Sequence, residues 1–249
     1  MDSFTIEIAG LAARVQPLFS STREYCRPYL TEAEPNLCVE VTQEDLVYEQ
    51  KMAELEAVEE GLRIRKFTDP FLERATIQRK IARELLNRDT ILLHGSTIGV
   101  DGVAYLFTAP CGTGKSTHTR LWREAFGQRA VMVNDDKAFL RITDSCVLAC
   151  GSPWNGKHGL GTNITLPLAG ICFLRRGAEN RIYHANPEDY IGELRHQCFV
   201  PEDAPGQITA CNLVDRLAQL VPLWEMECTK DLAAARLAHQ AMSGGGTEA

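Results

Sequence analysis

The pattern of apolar and polar positions separates an N-terminal region from a longer region with stronger patterns. Residues 1–66 contain two short alternating runs, FTIEIAG and LCVEVT, and then the charged segment EDLVYEQKMAELEAVEEG. Alternation with a period of two is typical of strands that have one buried face. We therefore predict a β-rich N-terminal region over residues 1–66.

An amphipathic helix is predicted to open the second region. Asp69 can cap a helix there, and Pro70 suits its first position because the first helical N–H needs no partner. Ile77, Ile81 and Leu85 follow at four-residue spacing, which places them on one face. The pattern predicts a helix with one buried face.

From Thr90 onward, apolar runs alternate with turns. The runs are ILLHG, VAYLFTA, AVMVND, CVLACG and PLAGICFLRR, and several are apolar at consecutive positions. Such runs are typical of strands that are covered on both faces. We expect ILLHG to pair with VAYLFTA, because the two runs are close in sequence.

Helices are predicted after these strands, around residues 187–198, 211–220 and 230–242. Together with the strands they predict an α/β domain over residues 67–242, with a central sheet and flanking helices. The Gly-rich end, residues 243–249, is predicted to be a disordered tail.

The composition is that of a globular protein, with 45% apolar and 24% charged residues. A net charge of −7 argues against a basic face for nucleic acid. No apolar run reaches the roughly 18 residues of a membrane span. We expect a cytoplasmic protein that binds neither nucleic acid nor membranes, with its cysteines reduced. The sequence leaves open whether the chain forms a homo-oligomer.

The most specific motif joins a buried strand to an amphipathic helix in VAYLFTAPCGTGKSTHTRLWREAFG. Glycines let successive backbone N–H groups converge on an anion, and the helix that follows points its positive dipole end there. Lys115 can reach the β- and γ-phosphates of a nucleotide, and Ser116 can ligate Mg²⁺. Ala109 replaces the first glycine of G-x-x-x-x-G-K-S, but the rest is intact. The motif predicts a P-loop that binds nucleotide through Pro110, Cys111, Gly112, Thr113, Gly114, Lys115, Ser116 and Thr117.

Two acids end the apolar strand AVMVNDDK, about twenty residues after Lys115. P-loop proteins keep a metal-holding carboxylate at such a strand end. Because adjacent strand residues point to opposite faces, one of Asp135 and Asp136 could hold Mg²⁺ while the other accepts a proton from an attacking hydroxyl. The alternative is a solvated turn before KAFLRI.

Further candidate residues follow two other strands. His94 closes ILLHG and could orient a phosphate or the acceptor, although a hydrogen-bonded structural histidine is the alternative. Residues 151–163 place Trp154, Lys157 and His158 among glycines. Lys157 can neutralise a transferring phosphoryl group, His158 can hydrogen-bond, and Trp154 can exclude water. We expect this segment to bind the acceptor; the alternative is a solvated hairpin with a packing tryptophan.

The stretch LLHGSTIGVDGVAYLFTAPCGTGKSTHTRLW, followed by VNDDK, resembles the catalytic domain of the HPr kinase/phosphorylase group, within the wider phosphoenolpyruvate carboxykinase-like set. The resemblance covers residues 85–180, and is weaker beyond. It implies a P-loop-containing central sheet, with Asp135 as the base, Asp136 holding Mg²⁺ and His94 in the site. Where HPr kinases carry a protein-docking segment, this chain has GSPWNGKHGLGTN, so we do not expect HPr as its substrate.

The preferred function is an ATP-dependent kinase that transfers the γ-phosphoryl group to a hydroxyl of a peptide, a protein or a small molecule. ATP and Mg²⁺ are the expected donor and cofactor. One alternative is a non-catalytic nucleotide-sensing module. The other is a carboxykinase-like lyase, for which no convincing second set of metal-binding Lys and His is present. The catalytic residues predicted for the kinase are Asp135, Lys115, His94 and Lys157.

Overall fold

The computed structural model describes residues 2–59, 61, 63–156 and 158–244. The chain forms two compact units, residues 1–85 and 86–249. The sequence predicts the boundary after residue 66, ahead of the amphipathic helix. In the structure that helix belongs to the N-terminal unit instead.

The N-terminal unit combines a small sheet with helices. Its three strands follow the order β1-β2-β3, with β1 and β2 antiparallel and β3 parallel to β2. The charged segment that follows the predicted strands forms a long helix, so the unit is less β-rich than the pattern indicates. The elements are β1 (Phe4–Ile8), β2 (Leu11–Gln16), α1 (Ser21–Tyr25), β3 (Leu37–Glu40), α2 (Gln43–Glu59) and α3 (Asp69–Leu86).

The predicted amphipathic helix is α3, and its periodic residues are buried as expected. Ile77, Ile81 and Leu85 all lie in the core. Glu73, on the same helix, is also fully buried, and its carboxylate accepts hydrogen bonds from the Leu18 backbone N–H and the Thr22 hydroxyl. A buried carboxylate with such donors tolerates its desolvation.

The second unit is built on a mixed sheet of nine strands within the described residues. Strands β6, β10 and β12 are mutually parallel in the order β6-β10-β12, while the other pairs are antiparallel. The order along the sheet is β4-β8-β9-β10-β6-β5-β7, with β12 on β10 and β11 on β12. The strands are β4 (Thr90–His94), β5 (Ser96–Val100), β6 (Val103–Thr108), β7 (Ala130–Asn134), β8 (Lys137–Ile142), β9 (Val147–Cys150), β10 (Thr165–Arg176), β11 (Arg181–His184) and β12 (Leu223–Cys228).

Helices contribute to two apolar clusters in this unit. One cluster joins strand residues such as Leu106 to helices α5 and α6, and the other joins Phe107 to α4 and α7. Neighbouring residues of a strand point to opposite faces, so Leu106 and Phe107 serve the two different layers. The predicted α/β class, a large sheet with flanking helices, is confirmed. The helices are α4 (Lys115–Phe126), α5 (Pro187–His196), α6 (Ala204–Leu220) and α7 (Leu232–Ser243), and residues 245–249 of the predicted tail lie outside the described residues.

One strand pairing is wrong in the prediction, because β4 pairs with β8 and not with β6. The run STIGV, which the pattern does not separate from its neighbours, forms β5 and makes a hairpin with β6. Asp101 and Gly102 lie in the turn between them at φ 51° and 84°, the backbone that a two-residue hairpin requires. Strand β5 therefore pairs with β6, where the sequence predicts β4.

The directions of the strands determine where the candidate site residues lie. Strand β7 is antiparallel to β5, which is antiparallel to β6, so β6 and β7 run the same way. Their carboxyl ends therefore meet at one edge of the sheet, where open α/β sheets bind ligands. No described helix is long and apolar enough to cross a membrane.

Candidate functional site

Residues 109–114 form a glycine-rich loop between the carboxyl end of β6 and the start of α4. Gly112 and Gly114 have φ values of 75° and 131°, and no described atom lies within 4 Å of a Cβ placed on either. Lys115 folds back across the loop, and its Nζ donates to the Ala109 carbonyl oxygen at 2.8 Å. The loop is thus open at a helix N-terminus, a place that favours anions.

The predicted nucleotide-binding residues differ in exposure around this loop. Pro110, Cys111, Gly112 and Ser116 are exposed, whereas Thr113, Gly114, Lys115 and Thr117 are half-buried. The Ser116 hydroxyl is therefore accessible in the first turn of α4.

Arg176 also contacts the loop, and sequence reasoning missed it. Its Nη2 donates to the Gly112 carbonyl oxygen at 2.6 Å. Arg176 ends β10, the parallel neighbour of β6, so its approach depends on a strand order that the local sequence does not reveal.

Helix α4 is anchored beneath the loop by a cluster of rings. His118 is buried, accepts a hydrogen bond from the Trp122 indole N–H at 3.1 Å, and meets the Phe107 ring edge-on. Burial lowers the pKa of His118 to about 4, so the ring is neutral at pH 7. His118 is thus a core residue, whereas Arg120 on the same helix is exposed.

The acid pair lies in the turn between β7 and β8, and its two carboxylates have different surroundings. Asp135 is only 7% exposed, and its Oδ1 accepts a hydrogen bond from the Gly156 N–H at 2.6 Å. The Asp136 side chain is 42% exposed, and its Oδ1 lies 3.6 Å from His94 Nε2. One acid is therefore enclosed by the segment that contains Gly156, and the other remains accessible.

His94, the last residue of β4, contacts residues next to both turns, since its ring lies 3.6 Å from Asp136 and its backbone bonds Thr108, which precedes the glycine-rich loop. The backbone N–H of His94 donates to the Gln197 carbonyl at 2.8 Å, and the backbone carbonyl of His94 accepts from the Thr108 hydroxyl at 2.8 Å. Burial lowers the pKa of His94 to about 4, the positive charge of Lys115 lowers it too, and Asp136 opposes them. The imidazole is therefore neutral at pH 7, with its Nε2 near the Asp136 carboxylate.

Asn134, the last residue of β7, was also missed, although it directly precedes the acids. Its side chain is fully buried, and its Oδ1 accepts from the N–H groups of Asp136 and Lys137 at 2.9 and 2.8 Å. Its Nδ2 donates to the Ser152 hydroxyl at 3.0 Å and to the Trp154 carbonyl at 3.1 Å. One amide thus connects the acid turn to the segment after β9.

That segment, predicted to bind the acceptor, begins inside the protein. Trp154 is 6% exposed and lies edge-on to the Phe139 ring at 6.2 Å between centroids, so it packs in the interior. His158 is exposed. Lys157, predicted as both catalytic and acceptor-binding, lies outside the described residues.

Comparisons with known proteins find only a distant structural likeness. No protein family and no curated protein matches the chain. Among solved structures, the chain is similar to the HPr(Ser) kinase/phosphatase from Coxiella burnetii, with 10% sequence identity and a TM-score of 0.34. The match covers 61% of this chain and 99% of that one.

Proposed function

We propose that this chain is an ATP-dependent kinase that transfers the γ-phosphoryl group to a hydroxyl of a peptide, a protein or a small molecule. The observation that carries the proposal is the arrangement around His94. The His94 carbonyl accepts from the hydroxyl of Thr108, which directly precedes the loop that leads to Lys115, and the Asp136 carboxylate lies 3.6 Å from the His94 ring nitrogen. Phosphoryl transfer needs such a lysine and such a carboxylate around one set of phosphates.

Residues 110–117 are the proposed P-loop. Lys115 donates to the Ala109 carbonyl, and in the complex we expect it to turn to the β- and γ-phosphates instead. The open glycine backbone then allows close approach of the phosphates, and the start of α4 favours their negative charge.

The residues present fit a magnesium ion. The exposed Ser116 hydroxyl and the Asp136 carboxylate supply oxygen ligands, which Mg²⁺ prefers. Within the described part of the chain, no three His, Cys, Asp or Glu residues form a ready metal cluster. Phosphate oxygens and water would complete the coordination, as is usual for Mg²⁺, and the bound ion would neutralise charge on the phosphates.

Asp135 is the proposed base. Because Gly156 donates to Oδ1, the carboxylate is oriented and Oδ2 can take the proton of the acceptor hydroxyl. The acceptor oxygen bonds to the γ-phosphorus, the bond from that phosphorus to the β–γ bridging oxygen breaks, and ADP leaves. Neutral His94 would orient the phosphate or the acceptor by hydrogen bonding.

Residues 151–163 are the proposed acceptor site. Trp154 supports this site from within the core, and exposed His158 can contact the acceptor. Lys157 keeps the role that the sequence predicts, as a cation that neutralises the transferring group.

The test is to incubate the chain with Mg²⁺ and γ-labelled ATP against serine-containing peptides, free serine and small polyols. Label should pass to one acceptor class in the parent chain and in a Lys230→Ala control, an exposed lysine, and not in Lys115→Ala. Binding of Mg·ATP with neither transfer nor hydrolysis would favour the nucleotide-sensing module. Phosphorylation of oxaloacetate with loss of CO₂ would favour the carboxykinase-like lyase.

A further inference from the structure

Asn134 uses its whole hydrogen-bonding capacity in a buried position. A primary amide offers two acceptor positions and two N–H donors, and all four have partners here. Rotating the amide by 180° would face its NH₂ group toward the two backbone N–H donors of the acid turn, so the orientation is determined by its partners.

The two ends of this amide hold different parts of the candidate site. The carbonyl oxygen binds the backbone of Asp136 and Lys137, which fixes the turn that carries both acids. The NH₂ group binds Ser152 and Trp154, in the segment whose Gly156 N–H orients Asp135. The acid turn and the segment are therefore connected twice, through Asn134 and through Asp135.

The backbone of β7 is irregular immediately before Asn134. Its pairing with β5 is in register from Ala130 to Met132 and shifts before Asn134 pairs with Thr97. An extra residue in one strand re-aims the side chains that follow, and such irregularities are common beside active sites.

Neither aspartate nor alanine can replace this side chain. Aspartate would keep the acceptor but lose both donors toward the segment, and alanine would lose all four bonds. Either change leaves buried polar groups without partners, which is costly.

We propose that Asn134 is a positioning residue that holds Asp135 and the acid turn against residues 152–156. The rate of phosphoryl transfer then depends on Asn134, whereas binding of the nucleotide at the glycine-rich loop does not. The proposal rests on the proposed function, because it assigns Asp135 the role of base.

The test compares Asn134→Ala, Ser152→Ala and the double variant, with Asn212→Ala as a matched control on the exposed face of α6. The probes are Mg·ATP hydrolysis, in which water replaces the unidentified acceptor, and the affinity for Mg²⁺ with a non-hydrolysable ATP analogue. We expect hydrolysis to fall about tenfold or more in Asn134→Ala and a few-fold in Ser152→Ala. Analogue affinity should stay within about twofold of the parent, because the P-loop contacts are unchanged.

The double variant separates a direct link from two independent effects. If the hydrogen bond between Asn134 and Ser152 is responsible, the double variant should be no slower than Asn134→Ala, because that bond is already lost. Fully additive losses, or unchanged hydrolysis in Asn134→Ala, would overturn the proposal.

Hydrogen exchange distinguishes positioning from general destabilisation. In Asn134→Ala, exchange should rise in residues 152–156 and stay at the parent level in the buried part of α6. A rise in hydrogen exchange throughout residues 86–244, together with lost analogue affinity, would overturn the positioning role, unless Ser152→Ala reproduces the selective loss of hydrolysis.

The parent chain separates this proposal from the proposed function. If the parent chain fails to bind the analogue, the proposed function itself fails. If the parent binds normally and Asn134→Ala has no effect, only the role of Asn134 is refuted.

Discussion

Two turns meet at the same edge of the sheet and are built in opposite ways. The glycine-rich loop after β6 is open, with no described atom within 4 Å of a Cβ at Gly112 or Gly114. The acid turn after β7 is closed, with Asn134 fully buried and Asp135 only 7% exposed. In the proposed function a nucleotide enters and leaves the first turn, and backbone donors around open space would suit that role. The same proposal requires the second turn to keep a base and a metal ligand in fixed geometry, which buried side-chain hydrogen bonds can provide.

The largest expected effect comes from removing the charge in the open loop. Lys115→Ala should weaken Mg·ATP binding on the order of a hundredfold, because the ammonium group makes charge-assisted contacts with the phosphates. Isothermal titration measures the affinity, and Lys230→Ala should bind like the parent. An unchanged affinity in Lys115→Ala would show that the loop does not bind phosphate.

The next effect belongs to the closed turn. Asp135→Asn keeps an oxygen that can accept from Gly156 but removes the base, so transfer or hydrolysis should slow by up to roughly a hundredfold. The rate is measured at saturating Mg²⁺ and ATP, where binding defects do not contribute. If the rate stays near that of the parent, Asp135 is not the base.

Asp136→Asn should instead change the metal requirement. Its carboxylate is 42% exposed, and the loss of one anionic ligand should raise the Mg²⁺ concentration for half-maximal rate by about tenfold. The measurement is a Mg²⁺ titration at fixed ATP for both aspartate variants. The same shift in Asp135→Asn would contradict the division of roles between the two acids.

A smaller effect is expected from the contact between Gly156 and Asp135. Gly156→Pro removes the N–H that donates to Asp135, and we expect a rate loss of roughly tenfold with unchanged Mg·ATP affinity. Gly156→Ala is the matched control, since it keeps the N–H and its Cβ would lie in ordinary contact, 3.4 Å from Asp135 atoms. Equal rates in the two variants would mean that this hydrogen bond does not orient the base.

The two turns also differ in how far the sequence predicts them. The glycine-rich loop is contiguous, so the spacing of Gly112, Gly114 and Lys115 between a strand and a helix predicts its structure directly. The structure confirms that this loop joins a strand to a helix. The acid pair is also contiguous in the sequence, but its two adjacent residues do not predict which contacts enclose Asp135. The functional roles of both turns remain proposals.

The contacts that hold the site together depend on long-range packing and could not be predicted. Asn134 reaches Ser152 across 18 positions, and Arg176 reaches Gly112 across 64. Such pairs follow from the order of the strands in the sheet. The sequence pattern does not show the hairpin of β5 and β6, so it predicts that β4 pairs with β6, whereas β4 pairs with β8. The burial of His118 depends on packing as well, because the rings of Phe107 and Trp122 contact it.

The smallest effect concerns the backbone of the open loop itself. Gly112 has φ 75°, in the left-handed region, and space is available for a side chain. Gly112→Ala therefore introduces backbone strain without a clash, and should lower the free energy of unfolding by about 1 kcal/mol. Gly192→Ala is the matched control: that glycine is exposed inside α5, its φ is not left-handed, and no described atom lies within 4 Å of its Cβ position. Alanine should stabilise this helix by about 0.5–1 kcal/mol, so the two Gly→Ala changes should shift Tm in opposite directions by a few degrees. If Gly112→Ala raises Tm as Gly192→Ala does, the left-handed conformation of the loop is wrong, and the proposed phosphate binding by its backbone N–H groups loses its support.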